Sequence, residues 1–203
     1  MDGYSTSKMK TERIDIENIV GSGKLEPELD LAAVAEDLQE QSGIAEVEHS
    51  RRKGNRLLIY FSNNDALGIL APTAVYVFNG VDNFEELEDA KQKLLTALSE
   101  LGIISSADPP KNQVSDPFKI QNLVCTGDLN RELNLEALSI GLGLEKVEYE
   151  PEQFPGLVYK PEDSGSTVLL FASGKAVVTG VADRDTAQEA FDSVKSKVAE
   201  LFD

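Results

Sequence analysis

Toward the end of the chain, hydrophobic and polar positions alternate in short runs. Across Lys175–Thr179, Ala176 and Val178 point one way while Lys175, Val177 and Thr179 point the other. The preceding run divides Val168 and Leu170 from Thr167, Leu169 and Phe171. A period of two marks half-buried strands, and further β-branched and aromatic runs stand at Leu144–Tyr149 and Gly156–Lys160. Their connections are too short for crossover helices, which predicts an antiparallel meander. The period then changes. Ala187, Ala190, Phe191, Val194, Val198 and Leu201 recur at helical spacing and predict an amphipathic helix over Asp183–Phe202.

This layout occurs twice. Ile16–Leu31 (IENIVGSGKLEPELDL) returns as Ile120–Leu135 (IQNLVCTGDLNRELNL), an offset of 104. Further on, Val47-Glu48 returns as Val147-Glu148, Asn79-Gly80 as Thr179-Gly180 and Leu101 as Leu201, an offset of 100. The first copy therefore carries four extra residues around Leu38–Gly43. In each copy a strand ending near Val20 or Val124 leads into a short helix opened by Glu-Leu-Asp-Leu or Glu-Leu-Asn-Leu, and a closing helix is predicted over Asn83–Leu101 in the first. Residues 1–10 read as a polar tail, 11–104 as the first repeat, 105–115 as a linker stiffened by Pro109-Pro110, and 116–203 as the second repeat.

About ten strands with two substantial and two short helices predict an α+β fold with one sheet face covered. Phe78, alternating with Val77 and Asn79, belongs beneath the helices. The other face carries Val, Leu, Phe, Thr and Asn without carboxylates, an apolar patch that calls for a ligand. The net charge of −17 runs against general nucleic-acid binding and fits a salt-adapted acidic surface with binding confined to one low-charge face. One cysteine, Cys125, excludes an internal disulfide, and with one histidine, His49, it leaves no Cys/His metal cluster; neither metal nor cofactor is expected. No Gly-rich phosphate loop and no nucleophile with a nearby base point to an enzyme. The first residues, MDGYSTSKMKTERIDIE, lack a secretory core and no run reaches membrane-spanning length, so a location in the cytoplasm on the nucleoid is expected.

Two segments then carry a specific resemblance. Tyr149–Lys160 (YEPEQFPGLVYK) followed by Leu169–Gly180 (LLFASGKAVVTG), together with Ile120–Val124, is similar to the second repeat of the archaeal TATA-box-binding protein family. The resemblance implies a saddle-shaped, ten-stranded antiparallel sheet of two pseudo-symmetric repeats, with helices on the convex side and the DNA minor groove on the concave side. Carried over by position, the concave floor would be Asn122, Val124, Leu169, Val177 and Thr179, with Asn18, Val20, Ile69, Val77 and Asn79 in the first copy. Phe154 and Phe171 would be the wedge that kinks the duplex, and Lys160 and Lys175 would meet phosphates. Glu150 and Glu152 match where the family meets transcription factor B, and through it RNA polymerase.

The first copy departs from this pattern. Gly54 stands opposite Phe154, Ala71 opposite Phe171, Tyr60 opposite Lys160 and Val75 opposite Lys175. Arg51, Arg52, Lys53 and Arg56 form a basic run there, readable as a phosphate clamp or as a solvated hairpin tip. The resemblance therefore implies an archaeal transcription initiation factor that binds A·T-rich promoter DNA. Two alternatives stay open: a paralogue that binds or sequesters transcription factor B with weakened DNA bending, and a module that dimerises through the apolar face when free of DNA.

Overall fold

Short polar side chains fix where the helices begin. Asp30 accepts the N–H of Ala32, Asn83 that of Glu86 and Asn134 that of Ala137, opening α1 (Leu31–Gln39), α2 (Phe84–Glu100) and α3 (Leu135–Leu142). Glu85 and Glu86 add favourable charge to the first turn of α2. A fourth helix, α4, spans Arg184–Phe202. The computed structural model describes residues 13–51, 54–161 and 165–202.

Among these, ten strands form one antiparallel sheet: β1 (Asp15–Leu25), β2 (Ile44–Ser50), β3 (Arg56–Phe61), β4 (Leu67–Leu70), β5 (Val75–Val81), β6 (Val114–Asp128), β7 (Val147–Glu148), β8 (Leu157–Tyr159), β9 (Thr167–Leu170) and β10 (Lys175–Val181). Their order is β2-β3-β4-β5-β1-β6-β10-β9-β8-β7. The fold is thus α+β, as expected. The described residues divide into two compact units: one built on Ile16–Val124 with Thr179–Arg184, the other on Cys125–Val178 with 13–15 and 185–202.

In the Ile16–Val124 unit, α2 packs against β5 and buries Leu87, Ala90, Leu94, Leu95, Ala97 and Leu98. Burial of each leucine contributes on the order of 2 kcal/mol. Phe78 is fully buried there and stands 5.8 Å from the ring of Phe61 and 6.1 Å from that of Phe118. Tyr76 from β5 and Phe118 from β6 stack nearly parallel, with centroids 6.0 Å apart. A side chain at Gly23 would overlap Tyr76, and one at Gly21 would overlap Phe118, so these glycines on β1 make room for the two rings. The edge strand β2 is blunted by α1, because Gln39 Oε1 accepts the N–H of Val47 at 2.8 Å.

In the Cys125–Val178 unit, α4 buries Ala187, Ala190, Phe191, Val194 and Val198. The Phe191 ring lies against Gly127, the counterpart of Gly23. Lys197 Nζ donates to the buried Tyr159 hydroxyl at 2.5 Å.

Several boundaries differ from the sequence reading. β1 and β6 continue past Val20 and Val124 to Leu25 and Asp128, because Gly21, Gly23 and Gly127 let aromatic rings cover strands that lack side chains of their own. The run Leu144–Tyr149 is not a full strand. Gly143, at φ 95°, turns the chain into a 3-10 helix over Leu144–Lys146, and only Val147–Glu148 pairs as β7. β8 is similarly shorter than Gly156–Lys160. The linker ends in a 3-10 helix, Lys111–Gln113, pinned where Glu26 N–H donates to the Gln113 carbonyl at 3.0 Å.

The Tyr76 phenol titrates above its ordinary range, first through burial and then through the negative charges of Asp116 and Glu88. The unfolded chain ionises this tyrosine near pH ~10, below the folded value, so its contribution is intact below that pH and lost as pH rises through the folded value. Urea unfolding should therefore show stability falling above pH ~10, less steeply in Tyr76→Phe. Gly174 has φ 91°, and a Cβ there would overlap the Arg131 carbonyl oxygen. Gly174→Ala should cost more than about 2 kcal/mol in the same experiment, since left-handed backbone alone costs roughly 1–2.

Candidate nucleic-acid interface

In both units the strands expose, on the side away from the buried core, a set of half-covered residues without carboxylates, bounded at the edge strands by Glu46 and Glu48 of β2 and Glu148 of β7. In the Ile16–Val124 unit the register sets Leu58 beside Ile69, Ile69 beside Val77, and Val77 beside Ser22, one lateral row across β3, β4, β5 and β1. A second row sets Tyr60 beside Leu67 and Leu67 beside Asn79. Val20, Val124 and Thr179 of this unit share the same intermediate burial. In the Cys125–Val178 unit the row pairs Val158 with Leu169, and Thr167 and Val177 are likewise half-covered. Leu58, Leu67, Ser22 and Val158 were missed by the sequence reading. The signal was there, since Leu58 alternates with the buried Leu57 and Ile59.

Asn18 and Asn122 sit at matching places, and their amides are held in one orientation. Gly80 at φ 88° and Gly180 at φ 83° turn their N–H groups out of regular strand geometry. Gly80 N–H donates to Asn18 Oδ1 at 2.8 Å, and Gly180 N–H to Asn122 Oδ1 at 2.7 Å. With the oxygen committed, the NH₂ end is fixed as the group left to donate. Asn122 Nδ2 reaches Thr179 Oγ1 at 3.1 Å, whereas Asn18 Nδ2 has no partner among the described residues.

Phe154 and Phe171 meet edge to face, centroids 5.9 Å apart and rings inclined at 69°. Phe154 is 37% exposed, and Phe171 is half-covered. Neither is a core aromatic. Gly156 lies against both: a Cβ there would stand 2.7 Å from the Phe154 ring and 3.0 Å from that of Phe171. Phe171 is set by a tight hairpin in which its N–H donates to the Lys175 carbonyl at 3.0 Å and Gly174 N–H donates back to its own carbonyl at 2.9 Å. Lys175 is exposed. Lys160 is also exposed but occupied, with Nζ 3.0 Å from Glu148 Oε1.

The counterpart hairpin in the Ile16–Val124 unit repeats these backbone bonds. Ala71 N–H donates to Val75 at 2.9 Å, and Ala74 N–H donates to Ala71 at 2.9 Å. It carries a methyl group where the other carries a ring. Gly54 has open space around it, and Tyr60 is 40% exposed. Of the basic run, Arg51 is exposed, while Arg56 opens β3 opposite Ser50 and keeps its Nε buried without a partner. Arg52 and Lys53 lie outside the described residues. His49 spans the same hairpin, its Nε2 2.9 Å from Asn55 Oδ1. Glu150 and Glu152 are exposed at the β7–β8 tip, where the Glu150 carbonyl accepts the N–H groups of Gln153 and Phe154 and its carboxylate accepts the Gln153 side-chain amide.

Residues 117–201 match the family model described as transcription factor TFIID, or TATA-binding protein. The chain is 39% identical over 188 residues to TATA-box-binding protein C of Halobacterium salinarum, covering 93% of this chain and 98% of that one. It is 38% identical over 191 residues to a TATA-box-binding protein of Natronomonas pharaonis, covering 94% and 95%. The solved structure of Methanococcus jannaschii TBP superposes with a TM-score of 0.72 at 31% identity, covering 93% of this chain and 99% of that one.

Gly156→Ala should wedge the two rings apart while leaving the fold intact. The expected reading is loss of the mutual ring-current shifts of Phe154 and Phe171 in NMR spectra, with backbone shifts elsewhere unchanged.

Proposed function

The chain belongs to the archaeal TATA-binding protein family, and on that premise we propose that it is a transcription initiation factor whose open sheet face presses into the minor groove of A·T-rich promoter DNA. The observation that carries this reading is the orientation of Asn18 and Asn122. The floor of the minor groove at A·T pairs offers only acceptors, adenine N3 and thymine O2. Two amides whose oxygens are held by Gly80 and Gly180 present donors to such a floor. Around them Val20, Ile69, Val77, Asn79, Val124, Leu169, Val177 and Thr179 supply the uncharged contact surface. Such a surface selects A·T-rich sequence by chemistry and shape, without reading an ordered code.

Phosphate contacts fall to Lys175 and to Lys160, which would exchange Glu148 for the backbone, with Arg51 and Arg56 serving the other unit. On a chain of net charge −17 these few cations work against a general repulsion of the duplex. Salt screens that repulsion. Glu150 and Glu152, exposed beside the Phe154 turn, offer an acidic docking point for transcription factor B and thereby recruit RNA polymerase. Without DNA, a second copy would cover the apolar face.

Asn18→Asp and Asn122→Asp keep an oxygen for Gly80 or Gly180 and remove the donor. Each should fold with an unchanged Tm and lose about tenfold or more in affinity for an A·T-rich duplex in a mobility shift at molar salt, given roughly 1–3 kcal/mol per base contact. Unchanged affinity would overturn the minor-groove reading. Capture of transcription factor B with no DNA complex at any salt would favour the sequestering paralogue instead.

A further inference from the structure

We infer that this protein carries a single base-step wedge, the Phe154–Phe171 pair of the Cys125–Val178 unit, and that the Ile16–Val124 unit grips DNA without unstacking it. The inference rests on the minor-groove reading above and adds to it a direction. Two phenylalanine rings are held edge to face at 5.9 Å, and one of them is 37% exposed. Gly156 leaves no room for a side chain beneath them, so the rings cannot retreat into the sheet. Exposed aromatic area of this kind gains by finding an apolar cover, and the gap between two base pairs is one such cover.

The other unit builds the same hairpin without the rings. Its Ala71–Val75 and Ala74–Ala71 bonds reproduce those of Phe171–Lys175 and Gly174–Phe171, yet the side chain at the decisive place is a methyl group. A side chain at Gly54 would meet nothing within 4 Å among the described residues, and Tyr60 lies in the lateral row with Leu67, where it extends the floor. Unstacking a step carries a free-energy cost in minor-groove architectural proteins, TATA-binding proteins among them. Here that cost arises at one step per molecule, and the two ends of a symmetric site become unequal once the protein is bound.

The test uses the full chain and a palindromic A·T-rich duplex with 2-aminopurine at both symmetry-related flanking steps. At saturation, about half of the probe should shift to the long-lived, unstacked fluorescence component if one wedge acts per molecule. Phe171→Ala, and independently the exposed Phe154→Ala, should remove most of that component while binding persists. An unstacked fraction near one, near zero, or unaffected by both variants would overturn the single wedge. Failure of the chain to bind the duplex at any salt would overturn the minor-groove reading itself.

Discussion

A strand sends successive side chains to opposite faces, and four helices of this size can roof only one face of ten strands. Everything else in the molecule follows from that division. Phe78, Leu57, Ile59, Leu70 and Val178 go under the helices and are fully buried. Their neighbours Val77, Leu58, Ile69 and Val177 are left half-covered by one another alone. An acidic chain could have solvated those positions with carboxylates, as it does on α2 and in its loops. Across β3, β4, β5 and β1 it places none in the lateral rows, which meet carboxylates only on the edge strand β2, where Glu48 stands beside Leu58 and Glu46 beside Tyr60. The inner rows stay apolar on a protein of net charge −17.

The division was legible in the sequence because a period of two survives even without knowledge of partners. The repeat makes it firmer: alignment of Ile16–Leu31 with Ile120–Leu135 makes Asn18 and Asn122 equivalents from sequence alone. What alternation could not show was distance. The glycines at 21, 23, 127 and 156 interrupt the hydrophobic pattern, yet each lies against an aromatic ring. Hence the predicted ends of β1 and β6 fell short. The strand expected from Leu144 failed for a different reason, since a left-handed Gly143 decides the path and no side-chain pattern records that.

The candidate site was legible as a set of positions and less so as chemistry. Sequence placed Asn18 and Asn122 on the face, but the orientation of their amides depends on bulged glycines on other strands. Lys160 read as an available cation, and its engagement with Glu148 emerges only from the pairing of β7 with β8. An exposed ion pair of that kind is worth under about 1 kcal/mol, so it reserves the lysine without locking it. The basic run of the first repeat likewise separates into unlike members, an exposed Arg51 and an Arg56 drawn into its strand.

The two hairpins at Ala71–Ala74 and Phe171–Gly174 have a consequence for how such a protein changes over time. Their shape is written in main-chain bonds and in a left-handed fourth position, Ala74 at φ 56° or Gly174 at φ 91°. The first position contributes its N–H and carbonyl to the scaffold, duties any residue but proline can perform. Its side chain is consequently a free variable. Duplication supplied two such variables on one architecture, and a lineage that multiplies copies of the gene can reset either by a single codon while the core stays untouched.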